Sequence, residues 1–235
     1  MKRPMLFPNP LRLHLGCGPN YLEGYVNIDV DDAGGTRKVD YTSPVEGLIF
    51  PPNTVDEIRI EHVFEHFPRW MGELLLLEWF TWLKPGGLLV MAVPDFESMA
   101  RAILELEDEE EKCFKYRHIF GTHYNLFSFH LDGFTRGKLK WMLERHGYTI
   151  IHLETVDVAV GTTRARKDIH LVAAKNNSAP SQEERIAKMI NVLKRYEEFE
   201  ETIPFVTEYL KKILGQTQIT TNFWLDRYPS LRESP

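Results

Sequence analysis

The sequence contains few cysteines and no long uninterrupted apolar run. Its two cysteines, Cys17 and Cys113, are far apart and lack the spacing of a disulfide framework or a zinc site. Unpaired cysteines are typical of a reducing compartment, so we expect a cytoplasmic protein. Pro4, Pro8 and Pro10 interrupt the N-terminal segment, and we therefore expect no signal peptide there.

The sequence also has no excess of basic charge. The net charge is −6 at pH 7, and we expect no nucleic-acid partner because phosphate binding needs a basic face. The longest apolar run, around "GELLLLEWFTWL", is interrupted by Glu78 and is too short to cross a bilayer, so no membrane partner is expected. The 235 residues, 43% of them hydrophobic, suffice for one large domain or for one domain with an appendage.

Short apolar strands alternate with helical segments over most of the chain. Helices are predicted at residues 64–83, 96–106 and 135–146, and strands at residues 11–15, 25–30, 39–41, 55–63, 88–94, 148–158 and 168–175. This alternation predicts an α/β fold, a Rossmann-like three-layer sandwich with a mostly parallel sheet. The connection between the last two strands is only about ten residues long, so one antiparallel edge strand is expected there.

The composition changes after residue 175, and we interpret residues 176–235 as a C-terminal helical extension of a domain at residues 1–175. Ser181 and Glu184 form a capping-box pattern ahead of an apolar stripe. Pro204 is predicted to start a second helix that ends at Gly215. A hairpin of this size cannot hold a core alone, so it should pack on the main domain or on a second copy of the chain, forming a homodimer.

A glycine pair follows the first predicted strand, and an acidic residue ends the second. Glycine at Gly16 and Gly18 permits a close approach of the backbone to a ligand. The Asp29 carboxylate can accept hydrogen bonds from both hydroxyls of an adenosine ribose. The short glycine pattern is weak by itself, and the alternative is a tight turn in which Asp29 caps a loop.

Three further features accompany this pattern, and they occur in a fixed order. They are Asp40 after an apolar residue, the histidine-bearing turn in "PPNTVDEIRIEHVFEHF", and the glycine turn with a buried strand in "WLKPGGLLVMAVPD". Together with "LHLGCGPN" and "NIDV", they resemble the motifs of class I S-adenosylmethionine-dependent methyltransferases. The resemblance covers residues 11–175 and points to a bacterial subgroup with an "EH" pair after the fourth strand.

This resemblance implies that S-adenosylmethionine is the cofactor. It places the methionine part along residues 16–18, the ribose at Asp29, and the adenine at Asp40 and the backbone of Tyr41. The end of the fourth strand would border the reacting methyl group. The implied cofactor-binding residues are Leu15, Gly16, Cys17, Gly18, Asp29, Val30, Asp40, Tyr41, Glu61 and His62.

The first connection is shorter than in the family it resembles. Only the residues from Pro19 to Val26 separate Gly18 from Asn27, whereas a parallel crossover ordinarily needs about a dozen or more. We therefore expect the first helix to be lost or reduced to one turn. This disfavours NAD, whose pyrophosphate binds at a helix N-terminus, over S-adenosylmethionine, which carries no phosphate.

Methyl transfer is an in-line displacement at an activated sulfonium, so the enzyme mainly has to align the acceptor. A hydroxyl or amine acceptor can also require a base, and His62 and His66 are the predicted catalytic residues. The alternative for His66 is that it caps or packs the start of the following helix.

The connection after the fifth strand is rich in aromatic residues and histidines. Loops at the carboxyl edge of such a sheet form the substrate pocket, so His123, Tyr124 and His130 are predicted to bind the acceptor. The alternative is a packed lid. His118, His123, His130 and Asp132 fit no standard ligand spacing, and no metal is expected.

The sequence thus predicts an S-adenosylmethionine-dependent methyltransferase that acts on a small-molecule or sugar acceptor at a hydroxyl. Two other classes remain open. One is a non-catalytic module that binds S-adenosylmethionine or a nucleoside and serves as an accessory subunit. The other, less favoured, is a nicotinamide-dependent oxidoreductase.

Overall fold

The computed structural model describes residues 8–31, 35–160, 164–195 and 199–213. The strands are β1 (Arg12–Leu15), β2 (Val26–Asp29), β3 (Tyr41–Thr42), β4 (Val55–Glu61), β5 (Leu83–Pro94), β6 (Tyr148–Val160) and β7 (Arg164–Lys175). The helices are α1 (Arg69–Trp82), α2 (Phe96–Glu105), α3 (Glu109–Phe120), α4 (Arg136–Arg145), α5 (Gln182–Leu193) and α6 (Phe199–Ile213). None of the helices in these ranges is long and apolar enough to span a bilayer.

The seven strands form one sheet in the order β3-β2-β1-β4-β5-β7-β6. Strands β1 to β5 pair in parallel, and β7 is antiparallel to both of its neighbours. The predicted α/β class, the mostly parallel sheet and its antiparallel edge are confirmed, with β7 lying between β5 and the outermost β6. The strand order reverses between β1 and β4, which is where ligands bind in open α/β sheets.

The two faces of this sheet differ in polarity. In β4, Ile58 and Ile60 point to the buried face, while Glu57, Arg59 and Glu61 are partly exposed on the other. Parallel strands that are covered on both faces read instead as continuous apolar runs. The buried face packs with residues of α1, α4, α5 and α6 in one core, and it consists of Leu13, Leu15, Ile28, Ile58, Ile60, Leu89, Met91, Leu171 and Ala173.

The connection between β1 and β2 contains no helix, as the short spacing predicts. The side chain of Asn27, which is fully buried, anchors this loop instead. Its Nδ2 donates to the carbonyl oxygen of Leu22 at 2.9 Å, and its Oδ1 accepts from Leu22 N at 2.9 Å. Two hydrogen bonds, one donated and one accepted by the same side-chain amide, therefore hold this loop. The methyltransferases that the sequence resembles have a helix at this place.

The start predicted for the first helix at residue 64 is wrong. Residues Phe64–His66 form a separate 3-10 helix, and α1 begins only at Arg69, after Pro68. Proline disfavours the helical conformation in the residue before it, which explains why Phe67 is extended. Helix α3 begins at Glu109, within a run of acidic residues that favours a helix N-terminus.

The C-terminal helices pack on α1 of the same chain. The predicted capping box of Ser181 and Glu184 is present at the start of α5. The start predicted at Pro204 is wrong, because α6 begins at Phe199 and contains this proline. Pro204 is the sixth residue of α6, where it removes one i→i−4 hydrogen bond and crowds the carbonyl four residues earlier, so the helix contains it at a local cost. Gly215 lies outside the described residues, and a homodimer through these helices stays a prediction.

One buried cluster holds α6 against α1. Glu78 accepts a hydrogen bond from Tyr209 Oη at 2.6 Å and pairs with Lys212 Nζ at 2.9 Å. Lys212 also donates to the carbonyl oxygen of Glu46 at 2.7 Å. All three side chains are more than nine-tenths buried, so this extension belongs to the same packed body as the sheet.

Candidate functional site

The carboxyl ends of β1, β2 and β4 meet where the strand order reverses. The amides of Gly16 and Cys17 both donate to the carbonyl oxygen of Ile28, at 2.8 and 3.1 Å. The loop after β1 is therefore fixed against the end of β2. This brings the glycine pair and Asp29 to one point of the sheet edge, as the sequence predicts.

Glycine is favoured at these two positions for different structural reasons. Gly16 has a φ of +66°, and a Cβ added there would lie 2.3 Å from Val63 Cγ2, just after β4. Gly18 has a φ of +52°, but a Cβ there would meet no described atom within 4 Å. Gly16 thus allows close packing between two strand ends, whereas Gly18 borders open space in which a ligand could lie.

The carboxylate of Asp29 faces this loop. Its Oδ2 accepts from Gly18 N at 2.7 Å, and its Oδ1 accepts from Asp31 N at 3.2 Å. The residue is 9% exposed, so the carboxylate is fixed but reachable. Each carboxylate oxygen has a second lone pair, which leaves two acceptors for the two hydroxyls of a ribose.

Asp40 lies just before β3 rather than at its carboxyl end. Its Oδ2 accepts from Asn27 N at 2.7 Å, and its Oδ1 accepts from Tyr21 Oη at 3.1 Å. The structure therefore uses Asp40 to hold β2 and the loop after β1. Tyr41 is 38% exposed beside it, and the adenine contacts of this pair stay a prediction.

The remaining cofactor-site residues contribute in different ways. Leu15 and Cys17 are buried beneath the loop, so a ligand above it would meet their backbone. Burial and the nearby Asp29 raise the pKa of Cys17 to about 11, which keeps this thiol protonated. Val30 is half-buried after β2. Glu61 pairs with Arg59 Nη1 at 2.8 Å on the polar face of the sheet.

His62 follows β4 in an unusual backbone conformation, with a φ of +55°. Its Nε2 lies 3.1 Å from Asp168 Oδ2, and its Nδ1 lies 3.5 Å from Glu65 Oε1. Arg166 Nη2 also approaches Nε2, at 2.7 Å, but an arginine nitrogen can only donate. The carboxylates near both ring nitrogens favour an N–H on each, whereas the 2.7 Å contact with Arg166 requires a lone pair on Nε2; Arg166 is also held by its own pair with Asp168.

This environment affects the predicted base role of His62. Burial opposes its charge, but the hydrogen bonds to Asp168 and Glu65 outweigh burial and raise the pKa to about 9. A histidine with this pKa is protonated at neutral pH and cannot accept a further proton. The catalytic roles of His62 and His66 stay predictions, and in its protonated form His62 is suited to donating a hydrogen bond.

His66 lies beside a residue of the distant connection after β5. Its Nδ1 lies 2.8 Å from the carbonyl oxygen of Phe129, which fixes the proton on that nitrogen and leaves Nε2 with a lone pair. Its ring packs against His130 with a centroid separation of 5.0 Å. The structure thus brings together two of the predicted site histidines, from segments far apart in sequence.

His123 and Tyr124 lie further out on the same connection. The ring of His123 stacks on Phe129 at a centroid distance of 4.2 Å, and its Nε2 lies 2.8 Å from the carbonyl oxygen of Phe120. Tyr124 is 89% exposed. These contacts are compatible with a packed lid and also with a surface that binds the methyl acceptor. The contacts of His123 and Tyr124 with the acceptor therefore stay a prediction.

Three charged residues of this region were not singled out in the sequence. Glu65 is 2% exposed, and its carbonyl oxygen accepts from Leu131 N at 2.8 Å. Asp168 and Arg166 reach His62 from β7. Glu65 lies within the histidine-bearing turn, but nothing in the spacing of Asp168 and Arg166 indicates a contact more than a hundred residues away.

The fold occurs in solved structures of methyltransferases. An S-adenosylmethionine-dependent methyltransferase from Methanosarcina mazei is 16% identical to this chain. The match covers 73% of this chain and 98% of the Methanosarcina protein, with a TM-score of 0.50. A Listeria monocytogenes protein, named as a proposed S-adenosylmethionine-dependent methyltransferase, is 14% identical to this chain. The match covers 72% of this chain and 92% of the Listeria protein, with a TM-score of 0.52. No protein-family model and no curated protein matches the sequence. The chain therefore has the class I methyltransferase fold.

Proposed function

We propose that this protein transfers the methyl group of S-adenosylmethionine to a hydroxyl of a small-molecule or sugar acceptor. The observation that carries the proposal is the fixed Asp29 carboxylate beside the open space at Gly18, at the strand-order reversal. The connection over residues 16–25 contains no helix, so it offers no helix N-terminus for a pyrophosphate. This favours a cofactor without phosphate.

The residues of this edge fit the proposed cofactor. Asp29 would accept both ribose hydroxyls, and the backbone at residues 16–18 would follow the methionine part across the open side of Gly18. Bound S-adenosylmethionine supplies an already activated methyl group. The protein then has to place the acceptor in line with that group, and orientation of this kind can lower a barrier by ~7–11 kcal/mol.

A hydroxyl acceptor also has to lose its proton. His66 Nε2 is the proposed acceptor of that proton, because its Nδ1 is held by Phe129. Two other residues that we propose for the acceptor region, His123 and Tyr124, lie on the same connection. A positioned base of this kind contributes about 10²–10⁴-fold in rate.

A reducing compartment is proposed as well. Cys17 is buried and Cys113 exposed, and both are unpaired. Exposed thiols persist in the cytoplasm, whereas oxidising compartments favour disulfides. We therefore keep a cytoplasmic location as part of the proposal.

The proposal is tested by incubating the protein with methyl-labelled S-adenosylmethionine and a panel of small hydroxyl compounds, including sugars and matched amines. We expect label in an O-methylated product and stoichiometric S-adenosylhomocysteine. Label transfer to amines alone would refute the hydroxyl assignment. Cofactor binding without turnover across the panel would favour the accessory module, and reduction of a substrate by NADH would favour the oxidoreductase.

A further inference from the structure

We propose that Glu65, His66 and His130 form a binding site for a divalent transition-metal ion. Each residue offers one ligand atom, and these atoms lie within 4.8 Å of one another. Glu65 and His66 belong to the 3-10 helix after β4, and His130 belongs to the connection after β5. A metal here is a property beyond methyl transfer, and it would link these two segments.

The first support is the state of the Glu65 carboxylate. The residue is 2% exposed, and its Oε1 is turned towards His62 Nδ1. Its Oε2 is buried and has no hydrogen-bond partner among the described residues. A buried carboxylate oxygen without a partner is costly, and a bound cation would remove that cost.

The second support is the orientation of the two imidazoles. The Nδ1 atom of His66 is hydrogen-bonded to the carbonyl oxygen of Phe129 at 2.8 Å, so its Nε2 is the nitrogen with a free lone pair. The ring of His130 lies against that of His66, with a centroid separation of 5.0 Å and an interplanar angle of 70°. Histidines that bind metals are typically held as His66 is, with the other ring nitrogen donating to a backbone carbonyl.

The donor set indicates the class of metal. Two imidazoles and one carboxylate suit Zn²⁺ and similar divalent ions, and three protein ligands leave a fourth position open. Zinc–ligand bonds of ~2.0–2.2 Å require these atoms to move about 1 Å closer together than the outer limit seen here. Both histidines are partly exposed, so their side chains have room for this movement.

The proposed metal site limits the base role of His66 to the metal-free protein. A cation bound to Nε2 would occupy the same lone pair that would accept the proton of the acceptor hydroxyl. A methyltransferase with a bound metal would therefore not use His66 as its base. The ligand role and the base role predict different metal dependence, so they can be separated by experiment.

The test is a calorimetric titration of the EDTA-treated, dialysed full-length protein with Zn²⁺, and a parallel titration with Co²⁺ followed by visible absorption. We expect one equivalent to bind, with Co²⁺ bands typical of histidine coordination. His66→Ala, His130→Ala and Glu65→Gln should each weaken Zn²⁺ binding at least tenfold. His152→Ala is the matched control, because this histidine lies on β6 and pairs at 3.1 Å with Glu154.

Circular dichroism and thermal unfolding of each variant establish that it is folded. Glu65→Gln preserves the size and shape of the buried side chain, so this variant is expected to fold. The Co²⁺ spectrum of the unmodified protein tests the site without any substitution. The proposal is overturned if the unmodified protein binds no Zn²⁺, or if the three ligand variants bind it as tightly as His152→Ala does. Titration of the same samples with S-adenosylhomocysteine keeps this result separate from the failure of methyl transfer.

Discussion

The candidate site has two halves that are built in different ways. The cofactor half consists of residues 15–31, and its main contacts join residues near in sequence, such as Gly18 N with Asp29 Oδ2. The histidine half consists of residues 62–66, 129–132 and 166–168, and its contacts join three distant segments, such as His62 with Asp168. One half is a local loop, and the other exists only in the folded chain.

This difference separates binding from chemistry. The cofactor half presents backbone amides and one carboxylate, which can hold a ligand through hydrogen bonds. The histidine half contains the rings that can donate or accept protons or bind a cation. Substitutions in the cofactor half should therefore change cofactor binding, and substitutions in the histidine half should change proton transfer or cation binding. Each should have little effect on the property of the other half.

Asp29→Ala should have the largest effect in the cofactor half. Loss of two charge-assisted hydrogen bonds, each about 1.5–3 kcal/mol, should weaken S-adenosylhomocysteine binding by at least about 100-fold. His66→Ala, in the histidine half, should change this affinity by less than about threefold. Calorimetric titration measures both, and equal losses in the two variants would break the distinction between the halves.

Gly16→Ala should destabilise the protein more than Gly18→Ala. At Gly16 the added Cβ meets Val63 Cγ2 at 2.3 Å and the φ is positive, so we expect a loss of about 3 kcal/mol in the free energy of unfolding. At Gly18 only the positive φ acts, with a loss of about 1 kcal/mol. Urea denaturation measures both values, and the reverse order would contradict the packing described at Gly16.

Asp168→Asn should lower the free energy of unfolding by about 3 kcal/mol, because His62 and Arg166 then lose a buried carboxylate. Burial opposes ionisation of Asp168, but His62 and Arg166 outweigh burial and lower its pKa below 3.8. A lowered pKa stabilises the folded state above pH 3.8 and ceases to do so as the pH falls through the folded-state value. The deficit measured by denaturation should therefore shrink as the pH falls below 3.8, and a deficit independent of pH would indicate a packing effect only.

The smallest predicted effect is a difference between the alkylation rates of the two cysteines, with no change in stability. Cys17 is buried with a pKa of about 11, so about one thiol in a thousand is ionised at pH 8. Cys113 is exposed and should react with iodoacetamide first. S-adenosylhomocysteine should slow Cys17 further while leaving Cys113 unchanged. Mass spectrometry of timed samples measures both sites, and urea-unfolded protein should show equal rates.

The two halves also differ in how far the sequence predicts them. The glycine pair, Asp29 and the missing helix follow from local spacing, because strands that are adjacent in sequence pair side by side. The start of α1 after Pro68 also follows a local rule, although the predicted helix began at residue 64. Local rules thus account for most of the sheet and for the loop beneath the cofactor half.

The histidine half depends on contacts that no spacing reveals. His66 and His130 are each ordinary residues in their own segments, and they meet because β4 and β5 are neighbours in the sheet. The raised pKa of His62 depends on Asp168 from an antiparallel strand whose register only the fold defines. For this reason the sequence predicts both His62 and His66 as catalytic residues and does not reveal the two carboxylates beside the ring of His62.

The proposed function rests on the claim that the cofactor half binds a nucleoside without phosphate. Its most direct test is a calorimetric titration of the full-length protein with S-adenosylhomocysteine, with NADH titrated under the same conditions. We predict one binding site for S-adenosylhomocysteine and no heat of binding for NADH. Binding of NADH, or no binding of S-adenosylhomocysteine, would contradict the claim.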